Sequence, residues 1–192
     1  MDLFNVHTCF QSNPPDVNKK IAQKLSIGFA VMIVNLKGDK NIGTIIRTSA
    51  IFGASKVYVI GRRYFDKRTL VGANNYIDIE KIMDFPDELQ TILHGYSPIC
   101  VEQGGISLED MNWGSYLPGE LLPPPCFILG AEDTGLSREF IDKCKKLPGF
   151  KCVSIPQIGI LRSLNVSVAH GIIINDYVSY YRQHIKNKNT IE

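Results

Sequence analysis

An excess of charge of either sign is missing from this chain, in which 21 Lys and Arg face 19 Asp and Glu for a formal net charge of +2. That balance excludes a protein that holds nucleic acid through overall charge, so any RNA contact has to come from local clusters. The five cysteines, Cys9, Cys100, Cys126, Cys144 and Cys152, form no C-x-x-C pair, and the four histidines fall at no metal-ligand spacing. A zinc site therefore has no basis in the sequence, and free, mostly buried thiols in a reducing compartment are expected. No apolar run approaches the ~18 residues that would span a bilayer. The start, Met1 to His7, has no basic stretch leading into an apolar one. The expectation is a soluble, cytoplasmic protein with no membrane and no metal partner. A Rossmann-type nucleotide site is also disfavoured: no G-x-G-x-x-G follows the first apolar run, where Gly43 stands alone.

What the chain does contain is enough apolar residue, 44% of 192, for one compact domain with a substantial core. Apolar, often β-branched runs recur at 29–35, 57–60, 77–79, 99–101, 127–129 and 153–155. Helical patterns lie between and after them at 42–52, 85–93, 137–144 and 166–181. This alternation predicts an α/β fold, a mostly parallel sheet with helices on both faces. Residues 1–27 read as a polar N-terminal extension with a short helix over 16–24, residues 28–184 as the folded domain, and residues 185–192 as a basic tail. Gly104-Gly105 and the proline-rich stretch 117–125 read as loops.

The most informative stretch is Ser154-Ile-Pro-Gln-Ile-Gly-Ile-Leu-Arg-Ser-Leu-Asn-Val-Ser-Val-Ala169. Gly159, Arg162, Ser163 and Asn165 interrupt what would otherwise be a buried strand running into a buried helix, and each polar group there needs a partner or a ligand. The plain alternative is an irregular loop in which Ser163 or Asn165 caps the next helix. Two more segments point to a site. Phe127-Ile-Leu-Gly-Ala-Glu-Asp-Thr-Gly-Leu-Ser137 is an apolar run ending in a glycine-bracketed acidic turn, with Ser137 placed to cap a helix. Asn41-Ile-Gly-Thr-Ile-Ile-Arg47 follows the first apolar run and opens a helix. In open α/β sheets a ligand crevice lies beyond the carboxyl ends of strands, where the glycine turn after Leu129 and the motif after Ile155 fall.

Taken in order, these three segments resemble the signature motifs of the SpoU/TrmH family of RNA ribose 2′-O-methyltransferases, within the SPOUT superfamily. The resemblance spans residues 28–181. It implies a deep trefoil knot made by threading the C-terminal segment, a homodimer, and S-adenosylmethionine as methyl donor. The donor pocket it implies is formed by Val101, Gly130, Ile155, Ser163 and Leu164. Arg47 matches the arginine associated with activating the ribose hydroxyl, Glu132 the acidic residue of the second motif and Asn165 the asparagine of the third. Ser163 sits near the donor and the reacting ribose, and Asn41 is either a helix cap, a catalytic-site residue, or both. A guanidinium with a pKa above ~12 is a poor base. Arg47 is better suited to hold an RNA phosphate and stabilise an incipient alkoxide. By itself, an arginine at such a position is more often a surface residue paired with a carboxylate. His170, on the last helix, reads as a core or interface histidine rather than a general base.

For RNA binding the middle cluster, Arg62, Arg63, Lys67 and Arg68 with Tyr64 and Phe65 between them, is a better candidate than the terminal lysines, which read as solvated surface. The resemblance favours tRNA over rRNA as substrate, through Val101-Glu102-Gln103, Gln157 and Arg162. With no room for a separate RNA-binding domain, RNA is expected to dock on the catalytic dimer itself. The competing readings are a catalytically silent RNA-binding protein of the same fold, and a base methyltransferase of the same superfamily.

Overall fold

The computed structural model describes residues 6–34, 38–61, 64–83 and 89–191. Six strands, β1 (Ala30–Val34), β2 (Lys56–Ile60), β3 (Asp78–Ile82), β4 (Ser97–Ser107), β5 (Pro125–Leu129) and β6 (Lys151–Ser154), form one sheet in the order β3-β2-β1-β5-β4-β6. Every strand pairing is parallel. Each strand expected from the sequence is present.

Burial on both faces explains why these strands read as continuous apolar runs. Val31, Ile33, Val57, Val59, Ile99, Phe127 and Val153 point to one face. There they meet Ile42, Ile45 and Ile46 of α2 (Asp39–Ile51) and Ile173, Ile174 and Tyr177 of α5 (Val166–Ile191). Ala30, Met32, Tyr58, Cys100, Cys126 and Ile128 point the other way, onto Leu89 of α3 (Leu89–Ile92) and Phe140 and Cys144 of α4 (Arg138–Cys144). Phe29, Trp113, Phe127 and Tyr177 pack edge to face at centroid distances of 5.5–5.7 Å, a geometry that suits the ring quadrupoles. The Trp113 indole N–H donates to Asp176 at 2.7 Å, so the most polar atom of this cluster is satisfied.

The N-terminal segment forms α1 (Pro15–Lys24), with proline at the first helical position, where its missing N–H costs nothing. Of the helix expected over 85–93, residues 85–88 lie outside the described residues and Leu89–Ile92 is helical. The last helix runs ten residues beyond its expected end, through the segment read as a tail.

The expected loop at Gly104-Gly105 is instead inside β4. The pairing register of β4 with β6 shifts between Val101 and Ile106, so the intervening residues form a bulge. Gly104 has φ +78°, and a β-carbon on Gly105 would lie 2.6 Å from the Cys152 backbone. Both glycines are there to let the bulge lie against β6, which a reading of glycine as loop punctuation misses.

Candidate functional site

A pocket of about 500 Å³ opens at the carboxyl ends of β4, β5 and β6. Its wall includes Val101, Gly130, Ile155, Ser163 and Leu164, all five positions expected for a donor pocket, and Glu132 as well. The sheet places them: β4 delivers Val101, β5 ends at Leu129 just before Gly130, and β6 leads into Ile155.

Gly130 is held by contact with the returning loop. A β-carbon there would lie 2.4 Å from the Gly135 carbonyl carbon and 2.5 Å from the Leu136 nitrogen, both backbone atoms. The turn is closed by the Gly135 N–H donating to the Ala131 carbonyl at 2.7 Å, and Gly135 itself has φ +64°. Both glycines of the G-x-E-x-x-G segment are thus required, one for close backbone approach and one for the left-handed turn. Ser137 then caps α4, accepting from the Phe140 N–H at 3.2 Å.

Beside the pocket, a chain of side-chain hydrogen bonds joins three elements. Asn41 Nδ2 donates to Glu132 Oε1. Asn165 Nδ2 donates to Asn41 Oδ1 at 3.2 Å. Asn165 Oδ1 accepts from the backbone N–H of Ser167 at 2.9 Å and from its hydroxyl at 2.6 Å, so Asn165 caps α5 while its amide nitrogen serves the site. Asn41 does not cap α2: the helix begins at Asp39, with Gly38 before it, and the Asn41 side chain turns to Glu132 and Asn165 instead. Gly38 leaves room for this, since a β-carbon would come within 3.0 Å of Asn41 Nδ2 and 3.5 Å of Glu132 Oε2.

Arg47 does not line the pocket. It lies six residues beyond Asn41, about 9 Å along the helix. On that side α2 packs against the 3-10 turn Lys67–Leu70, so closely that a β-carbon on Gly43 would lie 1.7 Å from Thr69 Oγ1. The guanidinium makes no hydrogen bond or ion pair with another described residue. Lys67 and Arg68 belong to this neighbouring turn, where Arg68 is exposed and forks onto Asp66, with Nη2 to Oδ2 at 2.9 Å and Nε to Oδ1 at 3.0 Å. Those bonds hold the Asp66 carboxyl below the usual range. Arg62 and Arg63 lie outside the described residues. Tyr64 is exposed and free to stack, but Phe65 is buried, with Lys81 Nζ 4.7 Å from its ring centre, so only one of the two aromatic residues is available to a nucleic acid.

His170 is 1% exposed. The Ser49 hydroxyl donates to the Ile45 carbonyl at 2.8 Å, which leaves its oxygen to accept from His170 Nε2–H at 3.0 Å. Burial lowers the imidazole pKa to about 3, against a smaller opposing effect of the Ile45 carbonyl, so the ring is neutral at pH 7. It joins α2 to α5 and stands apart from the pocket wall.

Sequence reading missed Glu102, Gln103, Thr134, Gly135 and Gln157 as pocket residues. The second glycine of the acidic turn was a usable signal, since a glycine at fixed distance after a strand often marks a left-handed residue. Ser167 gave no signal, being one of many serines near a helix start. Among the described residues no group of three or more His, Cys, Asp and Glu is placed to hold a metal ion, and no helix is long and apolar enough to cross a membrane.

A parallel α/β sheet with its crevice built around the Gly130–Gly135 turn, between the loop after β6 and residues 101–103 of β4, defines the class of protein. The sequence places it more closely: residues 28–175 match the SpoU rRNA Methylase family, and the chain belongs to that family. An uncharacterised tRNA/rRNA methyltransferase of Archaeoglobus fulgidus is 30% identical over 152 residues, covering 76% of this chain and 62% of the relative. One from Mycolicibacterium paratuberculosis is 30% identical over 169 residues, covering 85% of this chain and 50% of the relative. The chain thus spans only about half to three-fifths of these relatives. Among solved structures, the A. aeolicus TrmH/SpoU tRNA modifying enzyme superposes with a TM-score of 0.71 at 22% identity, covering 90% of this chain and 84% of that one. The SpoU methyltransferase AviRb from Streptomyces viridochromogenes, in complex with the cofactor AdoMet, gives 0.66 at 23% identity, covering 83% and 59%. These likenesses establish the fold.

Proposed function

We propose that this protein is an S-adenosylmethionine-dependent methyltransferase acting on a ribose 2′-hydroxyl of RNA, with tRNA ahead of rRNA as substrate. One observation carries the reading: the hydrogen-bonded series Glu132, Asn41 and Asn165 borders a pocket walled by Val101, Gly130, Ile155, Ser163 and Leu164. The donor fits the groups present. A nucleoside needs backbone approach on a curved wall, which the cradle at Gly130 provides, and a sulfonium needs negative charge nearby, which Glu102, Glu132 and Asp133 provide. S-adenosylmethionine is the cofactor in the AviRb complex.

When bound, the donor supplies an electrophilic methyl group, which passes to the ribose oxygen while the carbon–sulfur bond breaks. The residues of this chain do the rest. Glu132, Asn41 and Asn165 fix the spacing of the α2 and α5 starts around the pocket mouth. Ser163 offers a hydroxyl to the donor and the reacting ribose. Arg47 holds an RNA phosphate and stabilises the alkoxide as the hydroxyl proton leaves, with that phosphate helping to accept it. Its lack of any partner among the described residues supports this role. Lys67 and Arg68 extend the RNA track along the adjoining turn, and Arg62 and Arg63 belong to the same RNA-binding set. The reaction as read here uses no metal.

The same reading includes a homodimer, a deep trefoil knot in the C-terminal half, an N-terminal extension over residues 1–27, a catalytic domain over 28–184, and action in the cytoplasm. Exposed Val168 and Ile172 on α5 support the dimer, because they form an apolar patch on the side of the helix away from the buried Ile173 and Tyr177. The buried free thiols support a reducing compartment.

Mass spectrometry of nucleosides from tRNA and rRNA incubated with protein and labelled donor tests the reading. The expected product is a ribose-methylated nucleoside that disappears when the target carries a 2′-deoxy substitution. A base-methylated nucleoside, or incorporation that survives the 2′-deoxy substitution, overturns it.

A further inference from the structure

Glu102 is placed unlike the other acidic residues of the pocket. It follows Val101 on β4, and its carboxylate lies flat on Gly135: a β-carbon there would lie 2.7 Å and 2.8 Å from the two carboxylate oxygens and 3.0 Å from Cδ. Oε1 accepts a hydrogen bond from the Leu136 N–H. Oε2 accepts none from a described residue, and no cation among them pairs with the group. Glu132, by contrast, is engaged by Asn41, and Asp133 accepts from the Thr134 hydroxyl. Among the described residues the pocket wall holds three carboxylates and a single basic side chain, the exposed Arg162.

A half-buried carboxylate that has lost water without gaining a countercharge is a standing cost to the protein, and a cationic ligand removes it. Burial accordingly pushes the Glu102 carboxyl up, against the opposing hydrogen bond from Leu136. The two ligands of the reaction proposed above differ by one methyl group and by the positive charge it places on sulfur. The donor carries a sulfonium, whereas the product left after transfer is the neutral sulfide, with the same adenosine and the same amino-acid tail. Contacts to those shared parts hold both equally, so only a group that senses the methyl or its charge can tell them apart, and a carboxylate senses the charge.

We propose that Glu102 is a specificity residue that makes the pocket prefer the sulfonium donor over its neutral sulfide product, so that product leaves and fresh donor replaces it. This inference rests on the donor-pocket reading above. Glu102 is not a catalytic residue, since it acts on which ligand is held rather than on the reacting oxygen.

The test is calorimetric titration of wild type and Glu102→Gln with S-adenosylmethionine, with S-adenosylhomocysteine, and with the donor isostere that carries a protonated amine in place of the methylated sulfonium. Glutamine keeps an oxygen for the Leu136 N–H and nearly the same shape. Wild type is expected to bind both cationic ligands about tenfold more tightly than the neutral sulfide, an effect of the size expected from one partly screened charge. In Glu102→Gln that preference collapses because the cations weaken, while sulfide affinity stays within about twofold. Equal weakening of all three ligands overturns the proposal and assigns Glu102 to stapling the Gly130–Leu136 turn or to a group the ligands share. If the variant does not fold, wild type decides: binding the sulfide as tightly as the two cations overturns the proposal. Failure of wild type to bind any of the three at millimolar concentration is a different result, which overturns the pocket reading itself.

Discussion

Gly130 and Gly135 meet backbone to backbone, near enough that one added carbon on Gly130 would sit 2.4 Å from the Gly135 carbonyl carbon. The obstacle is main chain and cannot rotate aside, so Gly130→Ala has to open the acidic turn that forms the pocket wall. The expected cost is ~1–3 kcal/mol of stability, the scale of overpacking, together with about a tenfold loss of S-adenosylmethionine affinity by calorimetry. Gly171→Ala is the control. No atom lies within 4 Å of its added carbon and it sits within α5, so it is expected to stabilise by ~0.4–1 kcal/mol and leave donor affinity alone.

Arg47 and the donor pocket are separable. Arg47→Ala is expected to lower methyl transfer by on the order of 10²–10³, with donor affinity within about twofold of wild type, because the side chain is outside the pocket wall. Lysine is expected to rescue poorly, since it keeps the charge and loses the planar fork. Single-turnover rates and calorimetry on the same preparations check both halves. Wild-type turnover in the alanine variant sinks the role proposed for Arg47.

The outer face of α5 makes a prediction about assembly. Val168 and Ile172 are four residues apart on one side of the helix and partly exposed, at 49% and 38%. Sedimentation at micromolar concentration is expected to show twice the chain mass of 21.5 kDa. Val168→Asp together with Ile172→Asp is expected to shift it to the single-chain mass, by burying charge in the interface. A wild-type protein that sediments only as a single chain removes the dimer from the reading.

His170 makes stability depend on pH in a window that can be calculated. The folded-state pKa of about 3 lies below the ordinary 6.5, so between these values the unfolded chain takes up a proton that the folded chain excludes. Stability is therefore fully present above pH 6.5 and falls as pH drops towards 3, with a limiting slope of ~1.4 kcal/mol per pH unit from this group alone. Urea unfolding of wild type and His170→Gln at pH 7, 6, 5 and 4 checks it. The gap between the two proteins should narrow as pH falls, and a gap that stays constant shows that His170 is not the group titrating.

The strand runs and the helix starts were legible because their causes are local. A β-branched apolar run is a buried parallel strand wherever it pairs, and Ser137 and Asn165 cap their helices through bonds to residues only two or three positions away. The glycines of β4 were misread for the matching reason: Gly105 answers to Cys152, about fifty positions later, Gly104 makes the left-handed turn of the same bulge, and nothing adjacent to them in the chain says so. Phe65 looked like one of a pair of aromatics flanked by basic residues, yet it is packed into the core under α2.

The sequence by itself determined the class of fold, the glycine-bracketed acidic turn and part of the pocket wall, Val101, Gly130, Glu132, Ile155, Ser163 and Leu164, because spacing and side-chain chemistry are properties of short segments. Tertiary structure alone decided which of those residues meet. Asn41 reaches Glu132 across 91 residues and accepts from Asn165 across 124, and neither partner could be chosen before β1, β5 and the start of α5 were brought side by side. The same closure took Asn41 away from capping, left Arg47 without a partner among the described residues, and laid the Glu102 carboxylate on Gly135. The physical reason is that a polar group takes whatever partner the packed core presents, and the core's long-range pairings are settled by burial on both faces of the sheet.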